Sequence, residues 1–164
     1  MKSRVAVLGV FTTAAMICSY IESCIPISFG VPGMKLGLAN LAVVIVLYKS
    51  HTRNAYLVST IRVILVGILF GNLASIWFGL VGCSLSLGIM QFLKKTEAFS
   101  VYGVSVAGAV AHNIGQLLVA LYVVASFPVG YYIPVLLIAG VVTGFVIGCI
   151  SQEVLKRIHH IERI

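Results

Sequence analysis

Residues 101–126 read VYGVSVAGAVAHNIGQLLVALYVVAS, a run without a single charged side chain. A bilayer's hydrocarbon core is about 30 Å thick, and a helix rising about 1.5 Å per residue needs roughly 20 apolar residues to cross it. The run meets that length. As a helix it would also satisfy its own backbone N–H and C=O groups, as a segment in lipid must. Five more apolar runs flank it, at about Val5–Ile21, Leu36–Tyr48, Ala55–Gly71, Leu73–Leu93 and Tyr131–Ile150. The reading is therefore an all-α integral membrane protein, a single domain over residues 1–164 built as a six-transmembrane-helix bundle. Leu36–Tyr48 is short for a span, so tilt, extension by its flanks or a partly re-entrant path is expected there. Val5–Ile21 follows Lys2 and Arg4 as a signal peptide's core would, but no small-x-small cleavage site is followed by a soluble mature domain, so it is expected to stay a membrane helix.

Composition agrees. Apolar residues make up 60% of the chain, charged residues 9%, and the mean hydropathy is +1.13. Soluble domains carry roughly 25% charged residues, because their surfaces must hydrate. No aspartate occurs, and the four acidic residues are Glu22, Glu97, Glu153 and Glu162. Chemistry that needs paired aspartates, such as Mg²⁺–diphosphate binding, is excluded. No G-x-x-x-x-G-K-[ST] loop is present, so ATP-driven work would come from another protein. Cys18, Cys24, Cys83 and Cys149 form no C-x-x-C pair. Cys18, Cys83 and Cys149 read as small packing residues, and Cys24 is the one to test for reactivity. No metal site and no cofactor are expected.

The net charge of +7 is a topology signal. With the N-terminus inside, Lys2, Arg4, Lys49, Arg53, Lys94, Lys95, Lys156, Arg157 and Arg163 all fall on one face, nine of the eleven basic residues. Basic residues in short loops are retained on the cytoplasmic face, so both termini are expected there. The excess charge contacts membrane lipids on this reading and implies no nucleic-acid partner. Lys35 and Arg62 break the pattern.

Small residues mark where helices approach closely in lipid. They recur at Gly103, Ala107, Ala111 and Gly115, at Gly140, Gly144 and Gly148, and at Gly67 and Gly71. Val10, Ala14 and Cys18 form a further stripe, beside Gly9 and Thr13. Such stripes serve internal packing, or one of them, on the first helix, docks a partner subunit.

Polar groups inside a membrane face a bundle interior or a cavity. Three sets stand out. Glu22, Pro26, Pro32, Gly33, Lys35, Gly37 and Asn40 form a Gly/Pro-rich connection into the second helix. It is either an ordinary turn with Lys35 snorkelling to the interface or a loop lining a site that opens outward. On the fifth helix Ser105, His112 and Gln116 share a stripe at 100° per residue, with Asn113 alongside. Arg62 is expected about 10 Å from the inner face, seven residues into a helix from Ala55. It either caps carbonyls or lipid phosphate there or meets an anionic ligand.

The runs PGMKLGLANL (32–41) and GAVAHNIGQL (108–117), with Glu22 and Arg62, resemble a small bacterial membrane family. It is labelled heptaprenyl diphosphate synthase component I and also called the Gx transporter family. That family in turn looks like the substrate-binding (S) components of energy-coupling factor (ECF) transporters. The resemblance implies a multi-pass protein of the bacterial cytoplasmic membrane that binds a small polar or anionic substrate from outside. A separate transmembrane subunit and ATPases would energise uptake, and Val10, Ala14 and Cys18 would meet the transmembrane partner. Lys35, Asn40, His112, Asn113 and Gln116 are the expected substrate-binding residues, with Arg62 and Glu22 secondary. The family label offers a second reading, an accessory membrane subunit of isoprenoid or menaquinone synthesis. Prenyl chain elongation needs Mg²⁺ held by aspartate clusters, and there are no aspartates here. The purified chain, incubated with farnesyl diphosphate, isopentenyl diphosphate and Mg²⁺, is predicted to give no elongated product; radiolabelled prenyl products from this chain alone would contradict that.

Overall fold

A computed structural model describes residues 2–24, 37–124 and 133–158. Six helices follow one another: α1 (Lys2–Cys24), α2 (Asn40–Lys49), α3 (Thr52–Phe70), α4 (Leu73–Thr96), α5 (Val101–Val124) and α6 (Ile133–Arg157). Five are long and apolar enough to cross a membrane. Four of these run past the expected boundaries, because a helix continues through polar residues as long as its backbone bonds are met internally. α6 passes the expected end at Ile150 and reaches Arg157, where Glu153 and Arg157 pair across one exposed turn at 3.1 Å.

α2 departs most from expectation. It begins at Asn40, not Leu36, because Gly37 takes φ +90° and closes a turn in which the Asn40 N–H donates to Gly37 O at 2.8 Å. Its 10 residues span about 15 Å, half the hydrocarbon thickness. A helix apolar on every side belongs in an interior, and Asn40 and Ala42 through Leu47 are all buried. Among the described residues, five long helices accompany one short, largely buried helix.

α5 is the most enclosed of the long helices, packed between α4 and α6. Glycine permits both contacts. A Cβ on Gly115 would lie 2.8 Å from Gly82 Cα of α4, and one on Gly144 would lie 2.7 Å from Val106 Cα of α5. These stripes therefore pack the bundle internally. The α1 stripe does not: Val10 is 67% exposed, Ala14 is exposed, Cys18 is half-buried, and a Cβ on Gly9 would meet nothing within 4 Å.

The two-residue turn between α3 and α4 is fixed by a reciprocal cap. Asn72 Oδ1 accepts the Ser75 N–H at 2.8 Å, and the Asn72 N–H donates to Ser75 Oγ at 3.0 Å. At the opposite end, lysines satisfy helix C-terminal carbonyls. Lys94 donates to Leu47 O and lies over the Tyr48 ring, and Lys49 donates to Ile158 O at 2.9 Å. The C-terminal ends of α2, α4 and α6 are drawn together there with their basic residues.

Two apolar layers fill the bundle. Val46, Leu47, Val58, Leu87, Met90 and Ile147 belong to the larger, towards the basic end; Phe78, Leu117, Ala120 and Leu136 form the smaller, towards the other. Gly115→Val, which drives a side chain into the Gly82 backbone, is predicted to lower stability by about 1–3 kcal/mol, as overpacking does. Gly9→Ala is predicted to leave it unchanged; thermal unfolding of both variants in detergent measures the contrast.

Candidate functional site

Between those layers lies a set of buried polar side chains. α3 starts at Thr52, three residues before the expected Ala55, which puts Arg62 ten residues in, about 15 Å from the basic end. It stands at mid-span. The earlier helix start puts it deeper than the expected 10 Å, and Arg62 is only 6% exposed. Its guanidinium turns into the bundle, where Nη1 donates to Ser19 Oγ of α1 at 3.0 Å and Nη2 donates to Cys83 Sγ of α4 at 2.9 Å. Its Nε–H has no hydrogen-bond partner.

Ser19, Glu22, Gly37, Arg62, His112 and Gln116 line a cavity walled on its apolar side by Val63 and Val66. Its accessible space is about 20 Å³, room for about one water. Glu22 is buried and its Oε1 accepts the Gly37 N–H at 2.5 Å. The carboxylate thereby sits one turn before the start of α2, where the helix dipole favours negative charge. Gly37 serves here through its backbone: its N–H donates to Glu22, and its φ of +90° is one that residues with a Cβ rarely adopt.

His112 is 3% exposed and packs flat against Gly82, where a Cβ would lie 3.0 Å from Cε1 and Nδ1. It adjoins Cys83, and its Nδ1 has no hydrogen-bond partner. Gln116, one turn on along α5, is 1% exposed and faces the same cavity.

The expected site residues divide. Glu22, Arg62, His112 and Gln116 come together around the cavity. Asn40 stands behind Gly37 at its edge, 4% exposed, with its Nδ2 unpartnered. Asn113 is placed otherwise: its Nδ2 donates to Leu136 O of α6 at 2.8 Å, so it ties two helices together outside the cavity lining. Ser105 does the same through Gly144 O at 2.8 Å. Lys35 and the Pro26–Gly33 stretch lie outside the described residues. Ser19 and Cys83 were missed. Ser19 sits three residues before Glu22, on the same helical face, a spacing that points to it. Cys83 reads in sequence as packing, and nothing local marks it as the acceptor of an arginine 21 residues away. Among the described residues, no three His, Cys, Asp or Glu side chains gather as a metal-holding group.

A buried, partly unpartnered polar site inside a bundle whose long helices are apolar enough to cross a membrane defines a helical membrane-type protein with a small internal polar cavity. The chain belongs to the heptaprenyl diphosphate synthase component I family, whose model matches residues 11–154. Neither a curated protein nor a solved structure matches it.

Asn113→Ala is predicted to lower stability by about 1–3 kcal/mol, the cost of leaving the buried Leu136 carbonyl without its donor. Gln116→Ala, on the cavity wall, is predicted to change retention of any co-purified ligand instead. Native mass spectrometry paired with thermal unfolding separates the two.

Proposed function

We propose that this chain is the substrate-capture subunit of an uptake transporter, S component-like, in the cytoplasmic membrane of a bacterium. One observation carries the reading: a cationic side chain is held at mid-span in a cavity, away from lipid headgroups, with donors left over. Ionisable groups in the membrane interior are costly and mark substrate or ion pathways. Here α1, α3, α4 and α5 each contribute a polar group to one small space, Ser75 being the one from α4. A small polar or anionic molecule entering from outside would complete their hydrogen bonds.

The basic end then faces the cytoplasm, following the rule that Lys and Arg stay inside. Energy would come from separate ATPase and transmembrane subunits of the ECF kind. The outward stripe Val10, Ala14 and Cys18 offers such a partner a groove free of bulky polar groups, since small residues let helices approach in lipid. Lys35 is kept as a substrate contact on this reading.

The family's description favours a second reading, an accessory membrane component of heptaprenyl diphosphate synthase. On that reading Arg62 meets the diphosphate. Its mid-span depth and the one-water cavity support capture of a smaller molecule instead.

Co-expression with tagged ECF transmembrane and ATPase subunits, and separately with the catalytic prenyl synthase subunit, decides between them. The expected result is a complex with the ECF subunits that Ala14→Trp abolishes without loss of folded protein. A stable complex with the synthase subunit alone, together with faster heptaprenyl diphosphate formation, would overturn the reading.

A further inference from the structure

Arg62 has a specific deficiency. A guanidinium offers five N–H donors in a planar fork and is always charged. Of its described partners one is a hydroxyl and the other a thiol, Ser19 Oγ at 3.0 Å and Cys83 Sγ at 2.9 Å. Sulfur is a weak acceptor, and Nε–H has none. The edge formed by Nε and Nη2 is the side-on face of the fork, and it is the edge without a strong acceptor. Glu22 lines the same cavity, but its Oε1 is engaged by the Gly37 N–H.

Planar carboxylates match a guanidinium edge with two parallel N–H···O bonds, the strongest pairing this side chain makes. Size narrows the class further. The accessible space of about 20 Å³ holds about one water. A carboxylate would seat one oxygen in that space and offer the second to Nη2 in place of the Cys83 thiol, which is not itself part of the lining. A diphosphate, with seven oxygens around two phosphorus atoms, would have to push α1, α3 and α5 apart.

Building on the capture reading, we propose that the cavity is a carboxylate site: the ligand presents a single carboxylate to the Nε–Nη2 edge of Arg62, and Cys83 is the stand-in acceptor that the ligand replaces. His112 borders the same space with Nδ1 unpartnered and supplies the neighbouring polar wall. Cys83 thus weakens binding by competing for Nη2 while keeping the guanidinium oriented when no ligand is bound.

The test uses the purified full-length chain in detergent at constant ionic strength. The probes are acetate, its neutral isostere acetamide, and pyrophosphate. Concentration-dependent thermal stabilisation reports binding, because a ligand that prefers the folded state raises its stability by mass action. Acetate is expected to stabilise the protein saturably, and acetamide and pyrophosphate are not. Arg62→Lys, which keeps the charge and removes the fork, is expected to weaken acetate binding about tenfold or more, the worth of a charged hydrogen bond. Cys83→Ala is expected to tighten it about threefold, a gain that a misfolded variant does not produce. Equal stabilisation by acetamide, stronger stabilisation by pyrophosphate, or weaker acetate binding in Cys83→Ala would each overturn the proposal. If acetate is inert while native mass spectrometry finds a retained uncharged molecule, the carboxylate assignment fails and substrate capture stands. If acetate binds as described but the ECF subunits do not associate, the carboxylate assignment stands and the transporter reading fails.

Discussion

An arginine enclosed at the middle of a membrane bundle constrains everything packed around it. Removing a charge from water is expensive unless hydrogen bonds and counter-charge replace the lost hydration. Arg62 lies too deep and too enclosed to reach headgroups, so α1 and α4 must bring acceptors to it. Ser19 and Cys83 do so with one hydroxyl and one sulfur, which leaves Nε–H without an acceptor. The rest of the site is arranged around that shortfall: Glu22 is tied to the Gly37 backbone, and His112 and Gln116 close the space from α5.

The architecture around the site follows from what can approach closely. α2 is short and largely buried, so its first turn begins inside the bundle. Gly37 makes that possible by turning the chain at φ +90°, beside the Asn40 and His112 side chains. Gly82 and Gly115 let α4 and α5 meet backbone to backbone, which seats the imidazole of His112 against α4 beside Cys83. Apolar clusters on either side separate the polar layer from both membrane faces. Asn113 and Ser105 spend their hydrogen bonds on α6 carbonyls, which fixes the helix that carries His112 and Gln116.

Much of this was legible in the sequence, and the parts that were not have physical causes. Apolar run length locates all six helices, because lipid leaves the backbone few alternatives. The polar stripe of α5 points to His112 and Gln116, and scarcity of charge singles out Arg62 and Glu22. Periodicity cannot tell which polar residue of a stripe faces a cavity and which faces a neighbouring helix, so Asn113 was grouped with His112 although it serves α6. Depth was misjudged for Arg62 because helices outrun their apolar cores, and three residues of extra helix shift a side chain by about 4.5 Å. Cys83 is invisible in sequence: its role depends on a tertiary contact between α3 and α4.

The family name describes a synthase component, while the chain lacks the aspartates that prenyl elongation needs and builds a one-water cavity around an arginine. The most direct measurement is a cryo-EM density map of the purified protein in nanodiscs, stiffened by a bound antibody fragment, at a resolution that defines side chains. The expected map shows Arg62 turned into the bundle beside Ser19 and Cys83, with compact density of a few atoms against its guanidinium. Arg62 extended to the basic end and paired with a lipid phosphate, with the space between α1, α3 and α5 filled by apolar side chains, would contradict it.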